Sequence, residues 1–157
     1  VEATPPNAAS PAAQVFIETE QKLAALGTDT LRVCNFRTGT IYGPGREHRN
    51  ELRHIAGKQI PFDGKSDAML VHRDDVVRAI AFAIDKKLSG LFNLFNDIPE
   101  NKQDFFARVA TREGLEPVTW LGVVKGPKGV SNARIKGTGF TFADPVGARE
   151  GDDLLAR

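Results

Sequence analysis

The first third of the chain alternates between helical and extended hydrophobic patterns. Apolar residues at helical spacing, followed by Gly27, predict a helix over residues 14–26. Its apolar stripe consists of Phe16, Ile17, Leu23 and Ala24. β-branched and aromatic residues predict a strand over residues 30–36, which runs on until Gly43, Pro44 and Gly45 form a turn. Residues 1–13 are rich in proline and alanine and predict a loop or an ordered tail.

The middle of the chain predicts a short helix, an irregular stretch and then a long amphipathic helix. The short helix covers residues 47–56, residues 60–67 are rich in turn formers, and residues 68–72 form an extended run. Asp74 or Asp75 can cap the next helix, since a carboxylate accepts from free backbone N–H groups. That helix has the cleanest apolar stripe of the protein, formed by Val76, Val77, Ile80, Ala83 and Ile84.

The last third begins with a strand at residues 91–95, after Gly90. Asn101 and Asp104 resemble a capping box and open a helix that ends near Gly114. This helix is predicted to bury Phe105, Phe106 and Val109. A strand-like run at 118–124, a short segment within 131–142 and polar residues from 147 complete the chain. The alternation of strands and helices predicts an α/β fold.

The composition is that of an ordinary globular domain. The chain has 157 residues with 41% hydrophobic and 26% charged side chains, and its formal net charge is +1. This balance gives no electrostatic reason to expect nucleic acid or an anionic membrane as a partner. No apolar run is long enough to span a bilayer and no secretory signal is visible, so we expect a cytoplasmic protein. Cys34, the single cysteine, lies in an apolar run and is expected to be a buried, inert thiol.

Four features follow one another in a fixed order and carry the functional information. Glu20 lies inside the first predicted helix, where a carboxylate needs a partner or water. Arg37 precedes the run Ile41-Tyr42-Gly43-Pro44-Gly45-Arg46, and Val71-His72-Arg73-Asp74-Asp75-Val76 leads into the amphipathic helix. The strand that contains Asn93 comes last, in the run Gly90-Leu91-Phe92-Asn93. Together these features resemble the C-terminal half of extended short-chain dehydrogenases/reductases of the NAD-dependent epimerase/dehydratase family, in an atypical form.

The resemblance implies the C-terminal portion of a Rossmann-type, doubly wound fold plus a small substrate-binding lobe. Residues 1–45 would hold the last Rossmann-type helix and strand, and residues 46–157 the substrate lobe with returning segments. We expect the N-terminal nucleotide-binding half to lie outside this chain. The resemblance further implies NAD or NADP as cofactor, a nucleotide-sugar or similar small molecule as substrate, and a homodimer built on the Glu20 helix.

The same resemblance assigns the candidate binding residues. Thr38, Gly39 and Thr40 would form the floor beneath the nicotinamide end of the cofactor, where a glycine lets a ring approach the backbone. Tyr42, Arg46 and His72 would contact the substrate, and Arg46 offers a planar fork to an anion or carbonyl.

Several residues of the motifs also have a structural interpretation. Arg37 and Arg46 fit an ion pair or a tie to the backbone, His72 a hydrogen-bonded structural histidine, Asp75 a helix cap, and Asn93 a tie between strand and loop.

The residues that carry out catalysis in the family are not found. A tyrosine with a lysine four residues later acts as its acid/base pair. Alignment on Glu20 places Ala12 and Phe16 at these positions, and another register places Glu18 and Lys22 there. No glycine-rich phosphate loop follows a strand, and no catalytic or metal-ligating residue is assigned.

Three interpretations therefore remain open. The chain is part of an NAD(P)-dependent epimerase, dehydratase or reductase, or it is a non-enzymatic homologue that serves as a cofactor-binding, scaffold or assembly module. In the third interpretation it is a truncated product whose bare Rossmann edge exposes apolar strand surface.

Overall fold

A computed structural model describes residues 11–97, 100–126 and 129–143 of the chain. Within them the structure is a mixed α/β fold of five helices and six strands. The elements in chain order are α1 (Pro11–Ala25), β1 (Cys34–Thr38), β2 (Thr40–Tyr42), α2 (His48–Arg53), β3 (Gln59–Phe62), β4 (Leu70–His72), α3 (Arg73–Asp85), β5 (Gly90–Leu94), α4 (Lys102–Glu113), β6 (Thr119–Val124) and α5 (Ala133–Gly137).

The strands form three parallel pairs. β1 pairs with β5, β2 with β4, and β3 with β6, the last with a register shift between Ile60 and Phe62. Parallel pairing between strands separated by a helix is the signature of an α/β fold. The predicted fold class is therefore confirmed.

The extended chain that forms β1 and β2 changes its pairing partner at Gly39, which lies between the two strands. The Gly39 N–H donates to the Leu94 carbonyl at 3.1 Å, whereas the N–H of the next residue, Thr40, donates to the Met69 carbonyl at 2.9 Å. The Asn96 N–H donates to the Leu70 carbonyl at 2.8 Å, so the start of β4 lies between the extended ends of β1 and β5. A Cβ atom on Gly39 would lie only 2.5 Å from the Met69 carbonyl oxygen. This close approach is the physical reason for a glycine at position 39.

Two hydrophobic clusters hold the elements in place. The first joins Tyr42 and Leu52 to the buried face of α4, where Phe105, Phe106 and Val109 lie. The second joins β4, α3, β5 and α5 through residues that are almost wholly buried, namely Val71, Ala79, Phe92, Leu94, Ile135 and Phe140. The first cluster packs against the end of β2, and the second packs against the paired strands β1 and β5.

Several predicted features are confirmed. The Asn101 side chain accepts from the Asp104 N–H at 2.9 Å, which is the N-cap bond of a capping box, and its amide donates to the Asp104 carboxylate at 2.8 Å. α4 ends at Gly114 in the left-handed conformation, with φ of 64°. The strand predicted at 118–124 is present as β6, and a short helix, α5, lies within 131–142. The polar residues predicted from 147 onward lie outside the described residues.

Three local predictions are wrong. Residues 11–13, predicted as part of the loop or tail, are helical and belong to α1, because the apolar and alanine-rich run extends the helix before residue 14, while residues 1–10 of that prediction lie outside the described residues. Residues 59–62 form β3, since Pro61 is tolerated in a strand that pairs on one side only within the described part of the chain. Asp74 and Asp75 do not cap α3: the cap is His72, whose ring Nδ1 accepts from the Asp74 N–H at 3.2 Å.

The predicted apolar stripes are largely exposed among the described residues, although Ala83 of the α3 stripe is buried. On α1, Phe16 is 76% exposed and Leu23 is 42% exposed. On α3, the buried residues are Asp75, Ala79 and Ala83, while Ile84 is 74% exposed. Both helices therefore turn apolar surface away from the described part of the molecule.

Candidate functional site

A cavity of about 500 Å³ lies beside Gly39, between strands β1 and β2. Thr38, Gly39, Thr40, Tyr42 and Arg46 all line it. Thr38–Thr40 lie at the carboxyl end of β1, which is where open parallel sheets place their ligands. The structure thus brings together five of the six predicted binding residues, although the ligand role of each stays a prediction.

The opposite wall of the cavity belongs to α2 and the residues on either side of it. Glu47, Asn50, Glu51 and His54 line this wall, together with His48. The sequence analysis assigned no role to these residues. Positions 47, 50, 51 and 54 are related by steps of three or four residues, which places them on one helical face. This polar periodicity is the signal in the sequence that could have identified them.

Glu47 fixes the turn that delivers Arg46. Its carboxylate accepts from the Gly45 N–H at 3.3 Å and from the Asn50 side-chain amide at 2.6 Å. Gly43 and Gly45 have φ of 132° and 82°, which residues with a side chain rarely adopt. The pKa of the Glu47 carboxyl is lowered, chiefly because its own backbone N–H donates to it; burial opposes this effect, and Gly45, Arg49 and Asn50 lower the pKa further. Glu47 is therefore a carboxylate that holds the turn at neutral pH.

Tyr42 connects the cavity to the core. Its ring is 1% exposed and lies 4.5 Å from the His48 ring and 5.2 Å from the His72 ring, between centroids. His48 in turn meets Phe105 edge-on at 4.9 Å. This packed aromatic row holds the cavity wall rigid, because each ring restricts the rotamers of the next.

His72 is the predicted binding residue that does not line the cavity. Its side chain is 1% exposed, caps α3 and packs behind Tyr42. In these positions it orients Tyr42 and the start of α3, as in its structural alternative, while contact with a substrate stays a prediction.

Three further residues of the motifs make structural contacts. Arg37 donates to both carboxylate oxygens of Glu20, at 2.7 Å and 2.6 Å, and this hydrogen bonding raises the pKa of Arg37. The Asn93 amide donates to the Ser131 carbonyl at 2.8 Å, which ties β5 to the loop before α5. Asp75 accepts from the Ala143 N–H at 2.9 Å and forms an ion pair with Arg78.

The N-terminal part of α1 lies beside the carboxyl end of β1. Phe16 lines a groove with Arg37 and Thr38, and Ala12 is exposed on the first turn of the helix. Neither side chain can donate a proton. Within the described ranges, no three histidine, cysteine or acidic side chains gather as metal ligands would, and no helix is long and apolar enough to cross a membrane.

No protein-family model and no curated protein matches the sequence. Solved structures do match. A protein described as an NAD-dependent epimerase/dehydratase, from Methylobacillus flagellatus, is 25% identical with a TM-score of 0.71, over 99% of this chain and 56% of that one. The UDP-glucose 4-epimerase of Thermus thermophilus, in complex with NAD, is 22% identical with a TM-score of 0.71 over the same shares. The human epimerase family protein SDR39U1, with NADPH, is 16% identical with a TM-score of 0.70, over 99% of this chain and 58% of that one.

These comparisons establish a common fold. The chain has the Rossmann-like fold found in proteins of the NAD-dependent epimerase/dehydratase type, and structures with that fold hold NAD or NADPH. The chain spans a little over half the length of the structures it matches, in agreement with the expected C-terminal half.

Proposed function

We propose that this chain forms the substrate-lobe side of an NAD(P)-dependent epimerase/dehydratase-type protein that binds or acts on a nucleotide-sugar or a related carbonyl compound. One observation carries the proposal. Thr38, Gly39, Thr40 and Arg46 line a single cavity at the carboxyl end of a parallel strand, in a fold shared with dinucleotide-holding structures.

The residues around the cavity suit the nicotinamide end of a dinucleotide. The Thr38 and Thr40 hydroxyls offer small donors and acceptors in the lining of the cavity, on either side of Gly39. The dinucleotide, when bound, would supply the capacity to accept and return a hydride. In this proposal Thr38, Gly39 and Thr40 bind the nicotinamide ring and hold it beside the substrate.

Arg46 is the proposed substrate-orienting residue. It is an exposed guanidinium at the mouth of the cavity, delivered by the turn that Glu47 fixes. A planar fork can hold an anionic or carbonyl oxygen in one orientation. Tyr42 shapes the wall beneath it and His72 supports Tyr42 from behind.

We further propose that the chain by itself is not catalytic. In the alignment on Glu20 the family's tyrosine and lysine positions hold Ala12 and Phe16, and in the other register they hold Glu18 and Lys22. Neither register supplies the tyrosine, so in this proposal a proton donor for the reaction comes from elsewhere. The exposed Phe16 beside Thr38 favours a second candidate function, a cofactor-binding or assembly module without turnover. A cytoplasmic location and a homodimer built on α1 belong to the same proposal.

Binding measurements separate these possibilities. NADH and NADPH are titrated into the whole protein that contains this chain, followed by quenching of intrinsic fluorescence, and then UDP-glucose is added. We expect saturable binding of at least one dinucleotide, and no binding of either would refute the proposal. Binding without conversion of UDP-glucose or of other nucleotide-sugars and carbonyl compounds would select the second candidate.

A matched pair of variants tests the part of Arg46. We expect Arg46→Ala to weaken UDP-glucose binding about ten- to a hundredfold, since it removes a charge-assisted contact worth roughly 1.5–3 kcal/mol. Arg53→Ala, an exposed arginine on α2 that does not line the cavity, should change it less than twofold. Equal losses in both variants would show that Arg46 acts only through general surface charge.

A further inference from the structure

Three ionisable side chains line the cavity without a role in holding the fold together. Arg46, Glu51 and His54 all belong to its lining, and their side chains form no hydrogen bond or ion pair with any residue that the structure describes. Glu47 differs from them, because its carboxylate already accepts the hydrogen bonds that fix the turn before α2. The three uncommitted side chains are therefore free to bind a ligand.

The charges of the lining are separated between the turn and the helix. Arg46 precedes α2, whereas Glu47 caps the helix and Glu51 lies within it. Arg46 and Glu51 carry opposite charges and do not pair within the described residues, so each can bind a separate group of one ligand. With its histidines neutral, the lining has one arginine against two glutamates and is thus net negative. Such a lining favours a cationic group beside α2 and disfavours a phosphate there.

The α2 wall is also rich in hydrogen-bond acceptors. The Glu51 carboxylate only accepts, and a neutral His54 ring has one accepting nitrogen. The Asn50 amide nitrogen donates to Glu47 at 2.6 Å, which leaves the Asn50 carbonyl oxygen to accept from a ligand. These three side chains share one helical face. A primary ammonium group has three N–H donors and no acceptor, so both its charge and its hydrogen bonds suit this wall.

We propose that the ligand of this cavity carries a protonated primary amine, which binds the wall formed by Asn50, Glu51 and His54, while its anionic or carbonyl group binds Arg46. The substrate class is then that of nucleotide-linked amino sugars. This inference rests on the proposed function, because it specifies the substrate of the same cavity. A sugar hydroxyl in place of the amine keeps hydrogen bonds but loses the attraction of opposite charges, so the amine is the group that the wall selects.

Matched ligands test the amine directly. UDP-glucosamine has an amine where UDP-glucose has a hydroxyl on carbon 2, and UDP-N-acetylglucosamine carries the same nitrogen as an uncharged amide. Each is titrated by calorimetry at neutral pH into the whole protein that contains this chain, in the presence of the dinucleotide that it binds. We expect UDP-glucosamine to bind about tenfold more tightly than the other two, since hydrogen bonds between charged groups are about twice as strong as neutral ones.

A second pair of ligands carries the difference on carbon 4, namely UDP-4-amino-4-deoxyarabinose and UDP-arabinose. The proposal requires a preference of about tenfold for the amine in at least one of the two pairs. If both amines bind no better than their hydroxyl partners, the inference is overturned and the proposed function stands. If no nucleotide-sugar binds at all, the proposed function fails together with the inference.

Substitution of Glu51 locates the contact. Glu51→Gln keeps the size of the side chain and removes its charge, so the ratio of the affinities for amine and hydroxyl ligands should fall to less than twofold. Glu116→Gln, at an exposed glutamate that does not line the cavity, should leave the ratio unchanged. A ratio that both variants lower equally, or that neither lowers, would overturn binding of the amine at Glu51.

Arg46→Ala separates the two ends of the ligand. It should weaken the binding of both members of a pair, but the preference for the amine should persist, because Glu51 is still present and a repelling charge has been removed. Loss of the preference in Arg46→Ala would contradict separate binding at Arg46 and Glu51. All three variants should unfold at the urea concentration of the wild type, which shows that the changes in affinity do not come from damage to the fold.

Discussion

The fit of Gly39 between two strands can be tested with one methyl group. In Gly39→Ala the added Cβ would lie 2.5 Å from the Met69 carbonyl oxygen, 2.7 Å from its carbon and 3.1 Å from the Cβ of Phe95. Two of these three atoms belong to the backbone, so they cannot rotate away as a flexible side chain can. Gly39 does not have a positive φ, and the cost therefore comes from overpacking.

The magnitude follows from the severity of the contact. Overpacking of a well-packed site costs about 1–3 kcal/mol, and a clash with backbone on one side of a strand junction belongs at the upper end, ~2–3 kcal/mol. For a chain of 157 residues this corresponds to a fall in Tm of roughly 5–10 °C.

Thermal and urea unfolding, followed by circular dichroism, measure the effect. Gly137→Ala in α5 is the control, because a Cβ there meets no atom within 4 Å and the residue is helical. It should leave the stability unchanged or raise it by about 0.5–1 kcal/mol. If Gly39→Ala unfolds at the same urea concentration as the wild type, Met69 does not confine this glycine and the account of the strand junction is wrong.

Three further substitutions probe the contacts around the site. His72→Ala should cost about 2–3 kcal/mol through loss of the α3 cap and of a buried ring, and His72→Asn, which keeps an acceptor, should cost about 1 kcal/mol less in urea unfolding. Glu20→Gln should destabilise the protein by about 1 kcal/mol at low salt and by less at 1 M salt, since it leaves Arg37 without its carboxylate partner. Burial is the largest single effect on the pKa of Asp97 and raises it, but the hydrogen bonds from Lys136 and Asn132 and the Lys136 charge together outweigh burial, so the pKa is lowered. A lowered folded-state pKa contributes stability above the unfolded value of about 3.9, and that contribution is lost as the pH falls through the folded value. Asp97→Asn should therefore flatten stability against pH below about pH 4, by well under 1 kcal/mol because the carboxylate is 46% exposed, and an unchanged acid limb would contradict this pairing.

Local rules predicted the features whose causes are local. The Asn101–Asp104 cap and the left-handed Gly114 depend on a few neighbouring residues, and both are present. The cap of α3 was missed because a histidine accepts through a ring nitrogen and is not among the usual capping residues. Strand β3 was missed because its pairing with β6 is a contact across more than fifty residues, which the Gly- and Pro-rich local pattern conceals.

The same distinction between local and tertiary causes applies to the candidate site. The sequence motifs predicted Thr38, Thr40, Tyr42 and Arg46 as binding residues. These residues lie near one another in the chain and line one cavity. The position of His72 behind Tyr42 follows from how β4 pairs with β2, and the reason for Gly39 follows from the approach of Met69. Neither tertiary contact leaves a periodic signal in the sequence.

The central claim is that a dinucleotide binds over the floor formed by Thr38, Gly39 and Thr40. Two-dimensional NMR of the whole protein, with this chain isotopically labelled, tests it directly during titration with NADH and NADPH. The account predicts saturable shifts of these three amides and of Arg46, with the amides of α4 unchanged. Saturable binding that leaves all three floor amides unshifted, or no binding of either dinucleotide, would contradict it.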